Sequence, residues 1–345
     1  MITWYNYHRR DLPWRHTRDP YPIWLSEVIL QQTRVAQGLP YYRRFLETYP
    51  TVQEMAAADE RELLRLWQGL GYYSRARNLH QTAKLVTEQF GGRFPQTYDG
   101  LLRLKGIGTY TAAAIASFAF GEKVAVVDGN VYRVLARIFG ITEDITTTGA
   151  KKTFSTLANQ LIQTTDDPAS FNQALMEFGA IQCTPVAPDC LLCPFQQRCV
   201  AFQTGRQQLL PVKSKKAPVR ERFFNYLVIE QQGRIALKER RKRDVWHQLY
   251  DFPLIETDEP VEAFRYLMDH DTSKDILRKG FFSGEAEERT QLLSHQRIRA
   301  KFWRVTIPAG VELALPEEAK FFEPAEIERL PKPMLIADYC KSQLF

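Results

Sequence analysis

Four cysteines, Cys183, Cys190, Cys193 and Cys199, stand in the spacing C-x6-C-x2-C-x5-C. Four thiolates in one short loop can close around a single metal centre. Zinc sites built from four cysteines usually show two close C-x2-C pairs, and only one is present here. A [4Fe–4S] cluster tolerates wider spacing, so the pattern favours the cluster and leaves zinc open. The fifth cysteine, Cys340, is remote from these and is not expected to be a ligand. Clustering of this kind is unlike a disulfide framework and points to a reducing, intracellular setting.

Two carboxyls form the second constellation. On a helix through PIWLSEVILQQ, the neighbours of Glu27 three and four residues away are Ile23, Trp24, Leu30 and Gln31. An apolar surround desolvates a carboxyl and raises its pKa, which suits a general acid. A glutamate on a solvated helix face is the plainer alternative. Asp128 follows the apolar run of Val124, Val126 and Val127 and heads a helix whose Val131, Val134, Leu135 and Ile138 share one face. In that place an Asp is an N-cap or a charge for chemistry, and one residue can be both. Between them LKGIG, Leu104 to Gly108, is a tight turn in which Gly106 and Gly108 permit close backbone approach. It feeds the Ala-rich helix Tyr110 to Ala119, whose free N–H groups suit a phosphate. A phosphate grip beside a carboxylate suggests chemistry on nucleic acid.

Positioning these groups takes a mostly helical first half. One helix is predicted between Pro22 and Gly38, with others at about 40–48, 53–66, 74–90 and 98–103 and two more within 150–182. Before residue 220 only the strand-like run at 124–127 breaks this pattern. From Arg206 the texture changes: RQQLLPVKSKKAPVRER is basic, contains two prolines and reads as a linker able to follow a phosphate backbone. FFNYLVIEQQGRIALKER then predicts a hairpin turning at Gln231-Gln232-Gly233. WHQLYDFPLIE, IRAKFWRVTIP and a helix near 324–330 complete an α+β pattern. The fold class is therefore multidomain, an all-α half followed by a smaller α+β half. The 345 residues are 44% hydrophobic and 25% charged, with a net charge of +6, a modest bias toward a polyanionic partner. MITWYNYHRRDLPWR lacks the apolar core of a secretory signal, and no apolar run is long enough to span a membrane.

KGIGTYTAAAIASFAF followed by VVDGN resembles the helix-hairpin-helix DNA glycosylase superfamily, and the cysteine loop is similar to the iron–sulfur loop of its endonuclease III branch. LPWR, SEVILQQTRV, WQGLGYYSRARNL, DGNVYRVLAR and FNQALMEFGA resemble, in family order, the MutY family of adenine DNA glycosylases. Residues 223–345 resemble that family's C-terminal domain, related to the MutT nucleotide hydrolases, chiefly through VWHQLYDFP and LSHQ. Leu293 stands where the family has phenylalanine, and the carboxylate box RExxEE of the hydrolases is missing. The resemblance implies a six-helix barrel with the helix-hairpin-helix at 21–120, and an iron–sulfur domain from 1–20 and 121–205. A basic linker at 206–222 and a MutT-like, Nudix-like 8-oxoguanine recognition domain at 223–345 complete it.

What the resemblance implies for function is monofunctional base-excision repair: hydrolytic removal of adenine mispaired with 8-oxoguanine or guanine in double-stranded DNA. The enzyme would be a monomer, cytoplasmic and nucleoid-associated in a bacterium, with one [4Fe–4S] cluster on Cys183, Cys190, Cys193 and Cys199. Glu27 would protonate the base and Asp128 stabilise the oxocarbenium ion, with Asn130 holding the sugar or nucleophile. Tyr110 replaces the lysine with which bifunctional relatives form a Schiff base, and a phenol cannot form one. Trp14, Arg15, Leu30 and Gln173 would form the adenine pocket. Gln32, Leu70 and Tyr72 would fill the gap left by the extruded base, with Thr33 beside its partner and Gly106 and Gly108 on the backbone. Ser294 and His295 would read the 8-oxoguanine. Glu177 is left as a structural or solvated residue. The competing readings are an endonuclease III-like glycosylase and lyase, and a non-catalytic iron–sulfur DNA-binding protein.

Overall fold

A computed structural model describes residues 1–214, 219–268, 270, 274–282 and 284–344; residues 215–218 of the expected linker lie outside the described residues. Two compact units emerge: Met1–Ala58 with Ser74–Lys215, and Asp59–Tyr73 with Lys216–Phe345.

The first unit is helical. It contains α1 (Ile2–His8), α2 (Pro20–Ile29), α3 (Val35–Thr48) and α4 (Val52–Ala57). After α5 (Glu60–Leu66), which groups with the second unit, come α6 (Tyr73–Phe90), α7 (Tyr98–Leu102), α8 (Thr109–Phe120) and α9 (Gly129–Phe139). They are followed by α10 (Thr148–Ile162), α11 (Pro168–Glu177) and a short α12 (Val200–Gln203). Asp19 caps α2 by accepting from the Tyr21 N–H at 2.9 Å, with Pro20 at the first helical position. The sequence predicts that this helix runs on to Gly38; instead it ends at Ile29. The cause is Arg75 on α6, whose buried guanidinium donates to the carbonyls of Val28, Ile29 and Gln31 at 2.9, 2.9 and 2.7 Å. These C-terminal carbonyls are thereby satisfied without further helix. Gly38 lies inside α3, where a β-carbon would stand 2.8 Å from Leu30 Cδ2.

The turn between α7 and α8 forms as its glycines require. Gly106 has φ +87, and a β-carbon there would sit 2.8 Å from the β-carbon of Asn78. Residues Thr111–Phe118 of α8 are all buried, and their small side chains let α2 and α11 pack closely on it. The apolar run 124–127, expected to be strand-like, pairs with no strand. Two of its N–H groups go to side chains, Ala125 to Asn159 Oδ1 at 2.9 Å and Val126 to Asn172 Oδ1 at 3.0 Å, and that of Val124 goes to the Glu122 carbonyl at 2.8 Å. Asn172 is fully buried and also donates to Ser117 Oγ at 2.8 Å and the Val124 carbonyl at 2.9 Å. One side chain thus fixes the extended run that delivers Asp128 to the head of α9. The apolar face of α9 packs with α10 and α11 around Val131, Val134, Leu135, Phe154 and Phe178.

The second unit is built on a mixed sheet. Its strands are β1 (Arg220–Gln231), β2 (Arg234–Glu239), β3 (Tyr250–Asp251), β4 (Leu254–Thr257), β5 (Phe281–Phe282), β6 (Glu287–Leu292), β7 (Gln296–Thr306) and β8 (Lys320–Phe322). The main path runs β3-β2-β1-β7-β5, with β1 and β7 parallel and in register from Arg220↔Gln296 to Glu230↔Thr306. The β1–β2 hairpin turns where predicted, with Gln232 and Gly233 both at positive φ (53 and 75), as a two-residue hairpin loop demands. β1 begins at Arg220, inside the stretch read as linker. α13 (Lys274–Lys279), α14 (Pro324–Arg329) and α15 (Met334–Gln343) complete the unit. The sequence reading missed α15; its Tyr339 stacks on Phe302 of β7 with ring centroids 4.1 Å apart.

Asn172→Ala should lower the unfolding free energy of the protein by about 3 kcal/mol, since it strands buried backbone N–H and carbonyl groups. Urea unfolding followed by tryptophan fluorescence checks this; a loss below about 1 kcal/mol would show that water or rearrangement replaces the amide.

Candidate active site

Glu27 on α2 and Tyr110 on α8 meet because those helices pack face to face. The Tyr110 hydroxyl donates to Glu27 Oε2 at 2.7 Å. Glu27 is only 7% exposed, and burial pushes its carboxyl up to about 7, against the opposing effect of the Tyr110 hydrogen bond. The negative charge of Asp128 adds to the rise, and Arg15 works against it. Burial and the same two carboxylates push the Tyr110 phenol well above its ordinary range, so it stays a donor. Ile23 and Trp24, the neighbours one turn back, are buried at 1% each, whereas Gln31 lies beyond the helix end.

Asp128 is the N-cap of α9: its Oδ1 accepts from the Val131 N–H at 2.8 Å and its Oδ2 from Asn130 Nδ2 at 2.8 Å. Burial raises its pKa, and these hydrogen bonds with Arg133 oppose the rise. Cap and candidate catalytic charge are one residue. Asn130 in turn accepts at Oδ1 from Arg133 at 2.7 Å. The same guanidinium donates to the carbonyls of Gly179 at 2.6 Å and Cys183 at 2.7 Å. Gly179 belongs to a π-helical turn, Phe178–Gln182, and a β-carbon there would come 2.6 Å from that of Asn130. A hydrogen-bonded chain therefore runs from Asp128 to the first cysteine.

Cys183, Cys190, Cys193 and Cys199 all line one small cavity. Arg137, 2% exposed, holds the loop by donating to the carbonyls of Leu210 at 3.1 Å and Thr184 at 2.7 Å, and to Cys183 Sγ at 3.4 Å. A buried guanidinium facing carbonyls and sulfur suits an anionic occupant held by thiolates, so the donor set fits a thiolate-bound metal centre. The stretch between the first two cysteines, Thr184–Asp189, carries no basic residue. Its outer side and that of the adjoining Leu191 and Leu192 are apolar and exposed, Val186 among them.

The residues expected to form the base pocket fall into two groups. Arg15 donates to both oxygens of Glu177, at 3.0 and 2.7 Å. Arg10 grips the same carboxylate at 2.9 and 2.6 Å, and Gln173 accepts from the Tyr5 hydroxyl at 2.5 Å. Glu177 is 1% exposed and, despite burial, its two arginines hold it down to about 2. Glu177, Arg10 and Tyr5 are the residues that the sequence reading passed over. Their signal was weak, since the partners lie at opposite ends of the unit's sequence. Trp14 packs edge-on against Tyr42 with centroids 5.1 Å apart, and Leu30 caps α2 beside Gly38.

Gln32 and Tyr72, expected at the wedge, are among the few residues other than glycine with positive φ, at 57 and 47. Such strain gathers at functional positions. Thr33 lies within the reach of Arg75 at 3.5 Å, and Leu70 is buried. Gly108 caps α8 with open space around it. In the second unit Ser294 and His295 are exposed at the tip of the β6–β7 hairpin, closed by Leu293 N–H to the Gln296 carbonyl at 2.8 Å. Tyr72, of the same unit, has its hydroxyl against Ser294 Oγ.

Comparison with known proteins bears on this geometry. Residues 25–160 match the model of the HhH-GPD superfamily base excision DNA repair protein, and residues 225–342 match that of the NUDIX domain. The adenine DNA glycosylase of Buchnera aphidicola subsp. Schizaphis graminum (strain Sg) is 35% identical over 258 residues, 74% of each chain. The human adenine DNA glycosylase is 45% identical over 219 residues, 61% of this chain and 40% of the human one. Among solved structures, a thermostable thymine-DNA glycosylase superposes with a TM-score of 0.54 at 34% identity, covering 59% of this chain and 93% of that one. No helix among the described residues is long and apolar enough to cross a membrane. The chain belongs to the adenine DNA glycosylase family, within the HhH-GPD superfamily of base excision DNA repair enzymes.

Proposed function

We propose that this glycosylase removes adenine from DNA where it stands opposite 8-oxoguanine or guanine, hydrolysing the N-glycosidic bond and leaving the strand uncut. The observation that carries the reading is the buried Glu27 carboxyl, raised to about 7 and hydrogen-bonded by a phenol. Glu27 gives its proton to a ring nitrogen of the extruded adenine. The C1′–N9 bond then breaks and its electron pair leaves with the base. Asp128, ionised, faces the sugar cation, and Asn130 and the helix N-terminus fix its direction. Water adds at C1′ and returns a proton to Glu27. An endonuclease III-like lyase would need an amine to attack the sugar, and Tyr110 occupies that place.

The base pocket is the group around Arg15, Gln173 and Glu177, with Trp14 and Leu30 as apolar walls. Gln32, Leu70 and Tyr72 enter the gap left in the duplex, Thr33 stands by the opposite base, and Gly106 and Gly108 approach the phosphates. Ser294 and His295 supply hydrogen bonds to the oxidised base. Cys183, Cys190, Cys193 and Cys199 hold one [4Fe–4S] cluster, which when bound gives the loop a covalent clasp. The cluster is supported by the shared cavity and by the buried Arg137 beside it.

Four measurements test these assignments. Duplexes with adenine opposite 8-oxoguanine should break only after alkali, and those with an oxidised pyrimidine should stay intact; cleavage of the latter without alkali would point to the lyase. Glu27→Gln should slow single-turnover excision by about 10³-fold while keeping duplex affinity, and full activity would remove the acid role. In the unaltered protein the excision rate should fall as pH rises past 7, because the proton needed on Glu27 is lost there, and should fall again in acid, where Asp128 takes up a proton of its own. A profile rising through pH 7 would require a base instead. Purified protein should contain about four irons per chain and absorb in the visible blue; zinc without iron would replace the cluster assignment.

A further inference from the structure

The outward face of β7 carries a row of cations that the reading above does not use. Along the first half of the strand Ile298, Ala300 and Phe302 are buried, and Arg297, Arg299 and Lys301 alternate with them on the other face, which beyond Lys301 is itself covered at Trp303 and Val305. The strand's two-residue period fixes this, because turning the cations inward would expose the core side. Successive members are about 6.8 Å apart, so each can face its own phosphate. The side chains of Arg297 and Arg299 are 45% and 52% exposed, and they share one carboxylate, Glu221 of β1, at 3.0 and 3.2 Å. Two guanidiniums on one carboxylate leave a surplus of positive charge. Lys301 is matched by Glu288 at 2.7 Å. The row begins at the hairpin tip, where the Arg220 N–H donates to the His295 carbonyl at 3.1 Å. Arg220 is itself exposed and ends the basic connector KSKKAPVR. A groove of about 340 Å3 lies alongside, lined by Phe223, Thr290, Arg299 and Lys301 together with Glu262 and Glu288.

We propose that this row binds the sugar-phosphate backbone of the DNA strand opposite the excised adenine, so that the hairpin holds by its edge the strand whose base its tip reads. The choice of strand rests on the reading of Ser294 and His295 given above; the phosphate binding does not. Phosphate contacts place a protein on DNA without regard to sequence and release counterions as they form.

The test uses the full chain carrying Arg297→Gln and Arg299→Gln together. Affinity for a fully paired duplex and for one with guanine opposite adenine should fall alike, by about tenfold at low salt, and the slope of log Kd on log salt should shrink by about 2. Arg297→Lys with Arg299→Lys keeps the charge and should bind like the unaltered protein. A slope unchanged in the glutamine variant, or a lysine variant as weak as the glutamine one, overturns the proposal. Neutral methylphosphonates beside 8-oxoguanine should weaken the unaltered protein and leave the glutamine variant nearly unaffected. If that selective loss instead follows methylphosphonates in the adenine strand, the strand assignment is wrong. His295→Ala separates the two readings: it should lose preference for 8-oxoguanine over guanine with the salt slope intact. Unchanged preference would sink the base reading and leave the slope to decide the row.

Discussion

A carboxyl that must carry a proton near neutral pH cannot sit in water, and the architecture around Glu27 answers to that constraint. The helix bearing it is walled by Ile23, Trp24, Leu25 and Val28, all buried. The helix facing it is rich in alanine, with Ala112, Ala113, Ala114 and Ala116 all buried, so the two helices pack closely and exclude solvent. Tyr110 then supplies a hydrogen bond from a group too weakly acidic to surrender its own proton. A lysine there would bring a positive charge against the carboxyl and favour its ionised form. Substituting tyrosine therefore changes the proton on Glu27 as well as the chemistry open to residue 110.

Arginines buried among carbonyl oxygens hold the rest of the helical unit in place. Arg75 ends α2 so that Gln32 can adopt its left-handed turn. Arg133 joins the start of α9 to the π-helical turn and the first cysteine, and Arg137 anchors the loop beyond. A guanidinium bonds several carbonyls from one rigid plane, a fixed geometry that the rotating ammonium of a lysine does not impose. Loss of thiolate binding at the cysteines would thus be felt at Asn130 and Asp128, with no direct contact between them.

Much of this was legible before any coordinates. The clustered cysteines do line one cavity, the apolar neighbours of Glu27 foretold its burial, and Gly106 announced a turn that only glycine can make at φ +87. The hairpin at Gln232-Gly233 followed from residue type alone. What stayed hidden depended on distant partners. Nothing local says that α2 stops at Ile29, because the terminator is Arg75. Nothing marks 124–127 as extended without a neighbouring strand, because Asn159 and Asn172 stand in for one. Glu177 read as either structural or solvated, and only its partners Arg10 and Arg15, remote in sequence, decide for the first. Helix α15 covers an aromatic stack formed by strands far upstream, so its own sequence held only half of the signal.

The two carboxyls of the pocket region answer to acidity in opposite ways. Glu177, clamped by two guanidiniums, stays ionised from about pH 2 upward, whereas Glu27 changes state near 7. Over the range in which a cell's interior drifts, one group is therefore a fixed fitting and the other a valve. A fall in pH toward neutrality adds a proton at Glu27 and leaves the Arg10–Glu177–Arg15 clamp as it was.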